Sequence, residues 1–259
     1  MNCHICSGVA HLIADLTVLG KYPVSYFRCA RCGFVQTEEP YWLEEAYSEA
    51  INRNDVGLVN RNVTLARQTR IILSAFFDAD GRFLDYGGGY GLLVRMMRDA
   101  GLDFYRQDKY CENIFAADFE AEEGDGPYEL VTAYELFEHL ADPLRGVEEL
   151  LTCSRNILFT TELLPQECPR PGDWWYYIPE YGQHVSFYSL ASLQVIADRY
   201  RLHLCSDGKS LHLFSEKKIS QRLFRMTLHK ALAHLILRLK RRTSLVDADY
   251  KKITGLLPR

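Results

Sequence analysis

The chain has 259 residues, 47% of them hydrophobic and 25% charged, which suits one α/β domain with additions. Its net charge of −4 conceals an asymmetry: residues 217–242 carry nine Lys or Arg and no acid, leaving 21 basic against 34 acidic residues elsewhere, a net −13. An acidic body argues against nucleic acid as partner, no apolar run reaches the roughly 20 residues of a membrane span, and Met1-Asn2-Cys3-His4-Ile5-Cys6 lacks a signal-peptide layout, so a cytoplasmic protein with few disulfides is expected.

Residues 1–40 form a cysteine module. Cys3-x-x-Cys6 and Cys29-x-x-Cys32 are two knuckles separated by 22 residues. Four thiolates at that spacing converge on a closed tetrahedral site suited to structural zinc, with a folding and not a catalytic role. Residues 41–80 form a helical lead-in, patterned by Val63, Ala66, Ile71, Ile72, Ala75 and Phe76 and stopped by Asp80-Gly81. Over residues 81–216 strands and helices alternate: strand 82–86, helix 91–100, strands at 103–107, near 113–119 and at 128–134, helix 142–153, strand 155–161 and helix 189–200. That alternation predicts a doubly wound parallel sheet. The segments 202–205 and 211–214, joined by Ser206-Asp207-Gly208, predict a closing antiparallel hairpin. Residues 217–259 form a basic amphipathic helix and tail, with Phe224, Leu228, Ala231, Leu235 and Leu239 at helical spacing.

The first strand of the alternating region runs Phe83-Leu84-Asp85-Tyr86 into Gly87-Gly88-Gly89-Tyr90-Gly91, and a helical pattern follows at once. A strand that turns through glycines into a helix aims bare backbone N–H groups at a ligand above the sheet edge. Gly87, Gly89 and Gly91 give G-x-G-x-G, and Leu92 stands where a dinucleotide fingerprint wants its third glycine. This strand and loop resemble the opening motif of class I S-adenosylmethionine-dependent methyltransferases of the methyltransferase-23 type. The resemblance implies a Rossmann-like class I fold, with the glycine loop approaching the amino-acid end of the cofactor. It implies a ribose-binding role for Asp108, 23 residues beyond Asp85; the alternative for Asp108 is a solvated loop carboxylate. Tyr134 and Glu135 match the end of the family's fourth strand, facing the methyl donor, and Phe119 matches the segment beside the adenine.

A four-cysteine module ahead of such a domain is similar to the zinc-containing C-methyltransferases of nucleotide-sugar pathways. Tyr181-Gly182-Gln183-His184-Val185-Ser186-Phe187-Tyr188-Ser189 looks like that group's Y-x-E-H-x-x-x-F-S stretch, with Gln183 in place of Glu and Tyr188 in place of Phe. The resemblance covers roughly residues 1–215 and excludes the large additional domain of those enzymes. It implies an acceptor pocket lined by Tyr181, His184, Glu138 and His139, with His184 as base. The chemistry stands independently: removing a proton from an acceptor needs a base that is neutral near pH 7, and a hydroxyl donor such as Tyr stabilises the developing oxyanion. The Gln183 departure leaves O- and N-methylation open beside C-methylation. The acceptor expected is a small molecule, a sugar, nucleotide sugar or glycan-related compound. The alternative is a non-catalytic module that recruits partners through its cysteine knuckles and basic helix. For that helix two occupants are open: an anionic membrane surface, or the acidic body or a second subunit.

Overall fold

A computed structural model describes residues 1–48, 55–122 and 124–256. The parts of the expected lead-in at 49–54 and of the tail at 257–259 lie outside the described residues. The chain resolves into two compact units, one of residues 1–50, 134–149 and 159–217, the other of residues 51–133, 150–158 and 218–259.

In the first unit, β1 (Ala10–Val18), β2 (Tyr22–Cys29), β3 (Val35–Thr37) and the short β8 (Ser186–Phe187) form a sheet in that order. β1 and β2 are antiparallel, from Ala10 opposite Cys29 to Val18 opposite Tyr22, with an irregularity between Leu12 and Ala14. β3 pairs antiparallel with β8, Val35 against Phe187 and Gln36 against Ser186. The residues next to the C-terminal cysteine knuckle are thus stitched to the segment that carries His184. Val24, Tyr26, Val35, Trp42, Tyr177 and Phe187 bury together behind this sheet, with α1 (Leu43–Ala46) at its margin. The unit also holds α5 (Leu190–Arg199), started by a capping box between Ser189 and Ser192. The expected hairpin is present as β9 (His203–Ser206) and β10 (Leu211–Ser215), with Leu213 opposite Cys205.

The second unit begins with α2 (Leu58–Phe76), whose Leu65, Ala66, Thr69, Ile72 and Leu73 are buried. β4 (Arg82–Tyr86) then pairs in parallel with β5 (Asp103–Gln107) on one side and β6 (Leu130–Ala133) on the other. Phe83, Leu84, Phe104, Leu130 and Val131 are fully buried, as the covered faces of a parallel sheet require. α3 (Leu92–Asp99) follows β4, and α4 (Pro143–Cys153) precedes β7 (Ile157–Thr160). The larger sheet has the order β5-β4-β6-β7-β10-β9, a mixed α/β architecture with the parallel block and closing hairpin that the sequence predicts.

Two expectations need correction. The segment near 113–119 is not a strand: the Asn113 carboxamide accepts from Ala116 N–H at 2.9 Å and donates to the Ala116 carbonyl at 2.7 Å, which closes a turn. One isolated bridge, Arg106 to Glu120, remains. The basic segment is not one helix but α6 (Gln221–Thr227) and α7 (Lys230–Leu239). Thr227 donates its hydroxyl to the Phe224 carbonyl, competing with the helical ladder, and His229 is extended with ψ 132°. A further helix, α8 (Val246–Thr254), follows. Among the described residues no helix is long and apolar enough to cross a membrane.

Candidate functional site

The glycine loop leaves β4 with Gly87, Gly89 and Gly91 all at positive φ, 72°, 54° and 82°. Gly91 stands immediately before α3, and a Cβ there would lie 2.4 Å from Asn113 Oδ1. At Gly88 a Cβ would meet Asp85 Oδ2 at 2.8 Å. The glycines are therefore required by the loop's own packing, since a side chain at either position would collide with Asp85 or Asn113.

Neighbouring groups hold it in place. Gly87 N–H donates to the Gln107 carbonyl at 2.8 Å, and Gly89 N–H donates to Asp108 Oδ2 at 2.9 Å. The other Asp108 oxygen accepts from the N–H groups of Tyr110 and Cys111 at 2.8 and 2.9 Å. The structure thus brings Asp108 against the glycine loop, where it is neither a free nor a merely solvated carboxylate. Arg106, opposite Asp85 in the β4–β5 register, donates Nε to the Gly89 carbonyl at 2.6 Å and reaches Glu120 and the Cys111 carbonyl with its other nitrogens. Its guanidinium is a loop-organising group that strand alternation alone does not reveal.

Asp85 lies beneath the loop, buried at 3% exposure, and accepts from Thr132 Oγ1 at 2.6 Å. Burial raises its pKa to about 7; the Thr132 hydrogen bond opposes this and the nearby Asp108 charge adds to it. Phe119, expected beside an adenine, is 1% exposed, with the Arg98 guanidinium 3.6 Å and Lys252 Nζ 4.7 Å from its ring centroid. Its ring is packed as a cation–π partner, not presented as an open stacking surface.

In the other unit, Tyr134 is buried and Glu135 is exposed at φ 51°, a left-handed conformation uncommon for a glutamate. Thr160 holds it there: Glu135 N–H donates to Thr160 Oγ1, and that hydroxyl donates to Glu135 Oε1, each at 2.8 Å.

Three of the four residues expected at the acceptor come together. Glu138, His139 and His184 each offer a donor atom, all within 4.8 Å of one another. Glu138 and His139 sit on a 3₁₀ turn, Phe137–His139. The segment of β8 is laced onto that turn: Val185 N–H donates to the Glu138 carbonyl at 2.9 Å and Ser186 Oγ donates to the Leu140 carbonyl at 2.6 Å. The histidine rings meet edge to face, with centroids 4.9 Å apart. His184 Nδ1 lies 2.7 Å from the Tyr176 carbonyl, which only accepts, so Nδ1 carries the proton and Nε2 presents a lone pair. Burial lowers the His184 pKa to about 4 against that carbonyl's opposing effect. Burial and the neighbouring His184 lower His139 to about 3. Both rings are neutral at pH 7. Glu138 is completely buried; desolvation first and its charge second push the hydroxyls of Tyr176 and Tyr188 well above the ordinary tyrosine range.

Tyr181 stands apart: it is 37% exposed in the turn after Ile178, and its hydroxyl makes no contact with the cluster among the described residues. The tyrosines that do touch the histidines are Tyr47, whose hydroxyl lies 3.1 Å from His139 Nδ1, and Tyr176, whose ring packs 4.7 Å from His184. No motif marks Tyr47, whereas Tyr176 belongs to the aromatic run Trp174-Trp175-Tyr176-Tyr177. Gln183 donates its amide to the Ala46 carbonyl at 2.8 Å, a bond a carboxylate could not make. Tyr188 donates its hydroxyl to the Phe137 carbonyl at 2.9 Å. Both departures thus serve the scaffold, and the carboxylate beside the histidines is that of Glu138.

The four cysteines of the knuckles converge as the spacing predicts. Cys3 and Cys32 sulfurs are 3.6 Å apart, Cys6 and Cys29 sulfurs 3.4 Å, and all four lie within 4.8 Å of one another. Sulfurs about 2.3 Å from a tetrahedral zinc would be roughly 3.8 Å apart, so a small contraction or expansion suffices. The N–H groups of Arg31 and Cys32 point at Cys29 Sγ at 3.4 Å, the turn geometry that supports thiolates. All four cysteines are free of disulfides.

A family profile described as "Methyltransferase domain" matches residues 60–205. No curated protein sequence matches significantly. Similar solved structures include the mitomycin 7-O-methyltransferase MmcR, at 14% identity and TM-score 0.49 over 68% of this chain and 60% of that one. An O-methyltransferase family protein from Burkholderia thailandensis aligns at 13% identity and TM-score 0.48, over 69% of this chain and 64% of that one. TnmH aligns at 16% identity and TM-score 0.46, over 69% and 62%. The chain therefore spans less than two thirds of these neighbours' lengths, and similarity at this level says nothing about an acceptor.

Proposed function

The chain belongs to the methyltransferase-domain family, and we propose that it transfers a methyl group from S-adenosylmethionine to a small acceptor, a sugar, nucleotide sugar or glycan-related molecule. The observation that carries this reading is the glycine loop with Asp108 held against it; the other unit supplies a cluster of neutral histidines in which His184 Nδ1 is fixed as the donor. The loop suits the cofactor: three glycines at positive φ carry backbone free of side chains, and Asp108 beside the loop has oxygen lone pairs left for ribose hydroxyls.

When bound, the cofactor supplies an electrophilic methyl on a sulfonium. What this chain adds is binding, orientation and proton handling. Gly87, Gly89 and Gly91 shape the loop, with Asp85 and Arg106 as the charges that frame it. Tyr134 and Glu135, at the end of β6, contribute to the donor side. His184 Nε2 takes the acceptor proton, since the Tyr176 carbonyl fixes the other nitrogen as a donor. Glu138 stabilises the imidazolium that forms, as a buried carboxylate beside a charging histidine does. His139, tied to Tyr47, orients the acceptor. The four thiolates would hold a structural zinc, which would brace the β1–β2–β3–β8 sheet and through β8 the position of His184.

The test is a screen of nucleotide sugars and glycans with labelled methyl donor. His184→Ala should abolish transfer and leave cofactor affinity unchanged; unaltered transfer removes His184 from the mechanism. Cofactor binding without transfer to any member of the panel would support the partner-recruiting module instead.

A further inference from the structure

The basic C-terminal segment has a use that methyl transfer does not absorb. α6 and α7 dock on their unit by Phe224, Thr227 and Ala233, which are buried, and both helices pack against α2. That docking leaves Leu223 and Met226 on α6 and Leu235 and Leu239 on α7 exposed, at 52%, 54%, 49% and 72%. Leu223 and Met226 are three residues apart and Leu235 and Leu239 four, so each pair shares one helical face. Arg222, Arg225, Lys230, Arg238, Lys240 and Arg241 are exposed on the same two helices and the residues that follow them. Residues 217–242 contain no acid, so the segment carries no negative charge of its own; Arg242 reaches Asp80, outside it, at 2.5 Å.

We infer that the α6–α7 pair is a docking surface for an anionic lipid bilayer. The lipid headgroups would meet the exposed Lys and Arg, and the four apolar side chains would enter the headgroup boundary. Charge complementarity selects this occupant: polybasic segments are drawn to anionic leaflets, and flanking Leu and Met anchor them by shallow insertion. A second copy of the chain is a poorer match. Four half-exposed side chains fall well short of the roughly 1,000 Å² that a stable protein interface buries. Duplex nucleic acid would use the cations but has no use for apolar side chains between them.

The experiment is sedimentation of the full-length protein with phosphatidylcholine vesicles and with vesicles containing about 30% phosphatidylglycerol. The expected result is partition onto the anionic vesicles alone, weakened by at least about tenfold in 0.5 M NaCl. Two variants divide the contributions: Leu235→Ser with Leu239→Ser, and Arg222→Gln with Arg238→Gln and Lys240→Gln. Each should lower partition by about tenfold or more with thermal unfolding unchanged, because the replaced side chains are exposed. Three results would overturn the inference: no partition onto anionic vesicles; partition indifferent to the Leu→Ser variant together with equally tight binding to duplex DNA; or a dimer at micromolar protein that the Leu→Ser variant dissolves. None of these bears on methyl transfer, which is read separately with soluble acceptors.

Discussion

Asp85 is an acid buried beneath a loop, and its replacement by Asn should reveal what holding it there costs. Its pKa stands at about 7 in the folded chain, against about 3.9 in an unfolded one. A group whose folded pKa is raised contributes stability that is fully present below the unfolded value and is lost as pH rises through the folded value. Between pH 4 and pH 8 the wild-type chain should therefore lose up to about 4 kcal/mol through this residue, at about 1.4 kcal/mol per pKa unit. Asp85→Asn is nearly isosteric, does not ionise, and still accepts from Thr132 Oγ1. Urea unfolding of both proteins at pH 5, 6, 7 and 8 isolates the effect, because every other group cancels in the difference. Asp85→Asn should gain on the wild type by roughly 2–4 kcal/mol from pH 5 to pH 8 while binding S-adenosylmethionine more weakly. Parallel stability curves for the two proteins would refute the assignment of a buried, proton-holding Asp85.

Gly91→Ala should cost about 1–2 kcal/mol in backbone strain at φ 82° and displace Asn113, lowering cofactor affinity at least about tenfold by calorimetry with secondary structure retained. At saturating cofactor, the methyl-transfer rate should stay flat from pH 5 to pH 8, because His184 and His139 gain protons only near pH 4 and 3; a rate that halves near pH 6.5 would show a solvated base instead. The same lowered pKa values predict acid lability, since an unfolded histidine takes up a proton below about pH 6.5 that the folded one refuses, so stability should decline from there towards pH 4. Atomic spectroscopy should find one zinc per chain and none in Cys32→Ser, and chelation should lower the unfolding midpoint by about 10 °C or more, as loss of a structural zinc worth about 10 kcal/mol implies.

What the sequence conveys well is whatever depends on local chemistry. The strand Phe83–Tyr86, the three positive-φ glycines after it and the following helix are written in consecutive local requirements, and the knuckles Cys3/Cys6 and Cys29/Cys32 meet as their spacing demands. The expected strand near 113–119 fails for an equally local reason. Ile114, Phe115 and Ala116 look like strand residues, but Asn113 can close a turn on Ala116 with its own side chain, and apolar character does not outweigh two good hydrogen bonds. The helix expected over the basic segment breaks at Thr227 and His229, where a buried β-branched hydroxyl bonds the preceding turn.

The acceptor cluster shows the opposite case, a site whose identity is legible and whose construction is not. His139 and His184 can be named from a resemblance, but Tyr47 reaches them from a segment with no pattern to mark it, and the aromatic run 174–177 does not say that Tyr176 is the residue whose carbonyl fixes His184. The Glu→Gln difference at 183 reads in sequence as the loss of a carboxylate, whereas in the fold Gln183 is a tether to Ala46 and Glu138 stands beside the histidines. Gly182 makes the dependence explicit: at φ 66° its missing Cβ would lie 2.8 Å from Val18, and its carbonyl accepts from Trp42 Nε1 at 2.7 Å. Two residues before His184 the chain is therefore fixed by the sheet of the cysteine module, so Gly182→Ala should disturb the His184 imidazole without touching it. If it lowers the methyl-transfer rate while zinc content and cofactor affinity stay unchanged, the module is part of the acceptor site's framework; if the rate is unaffected, the contact of Gly182 with Val18 and Trp42 does not set the histidine's position.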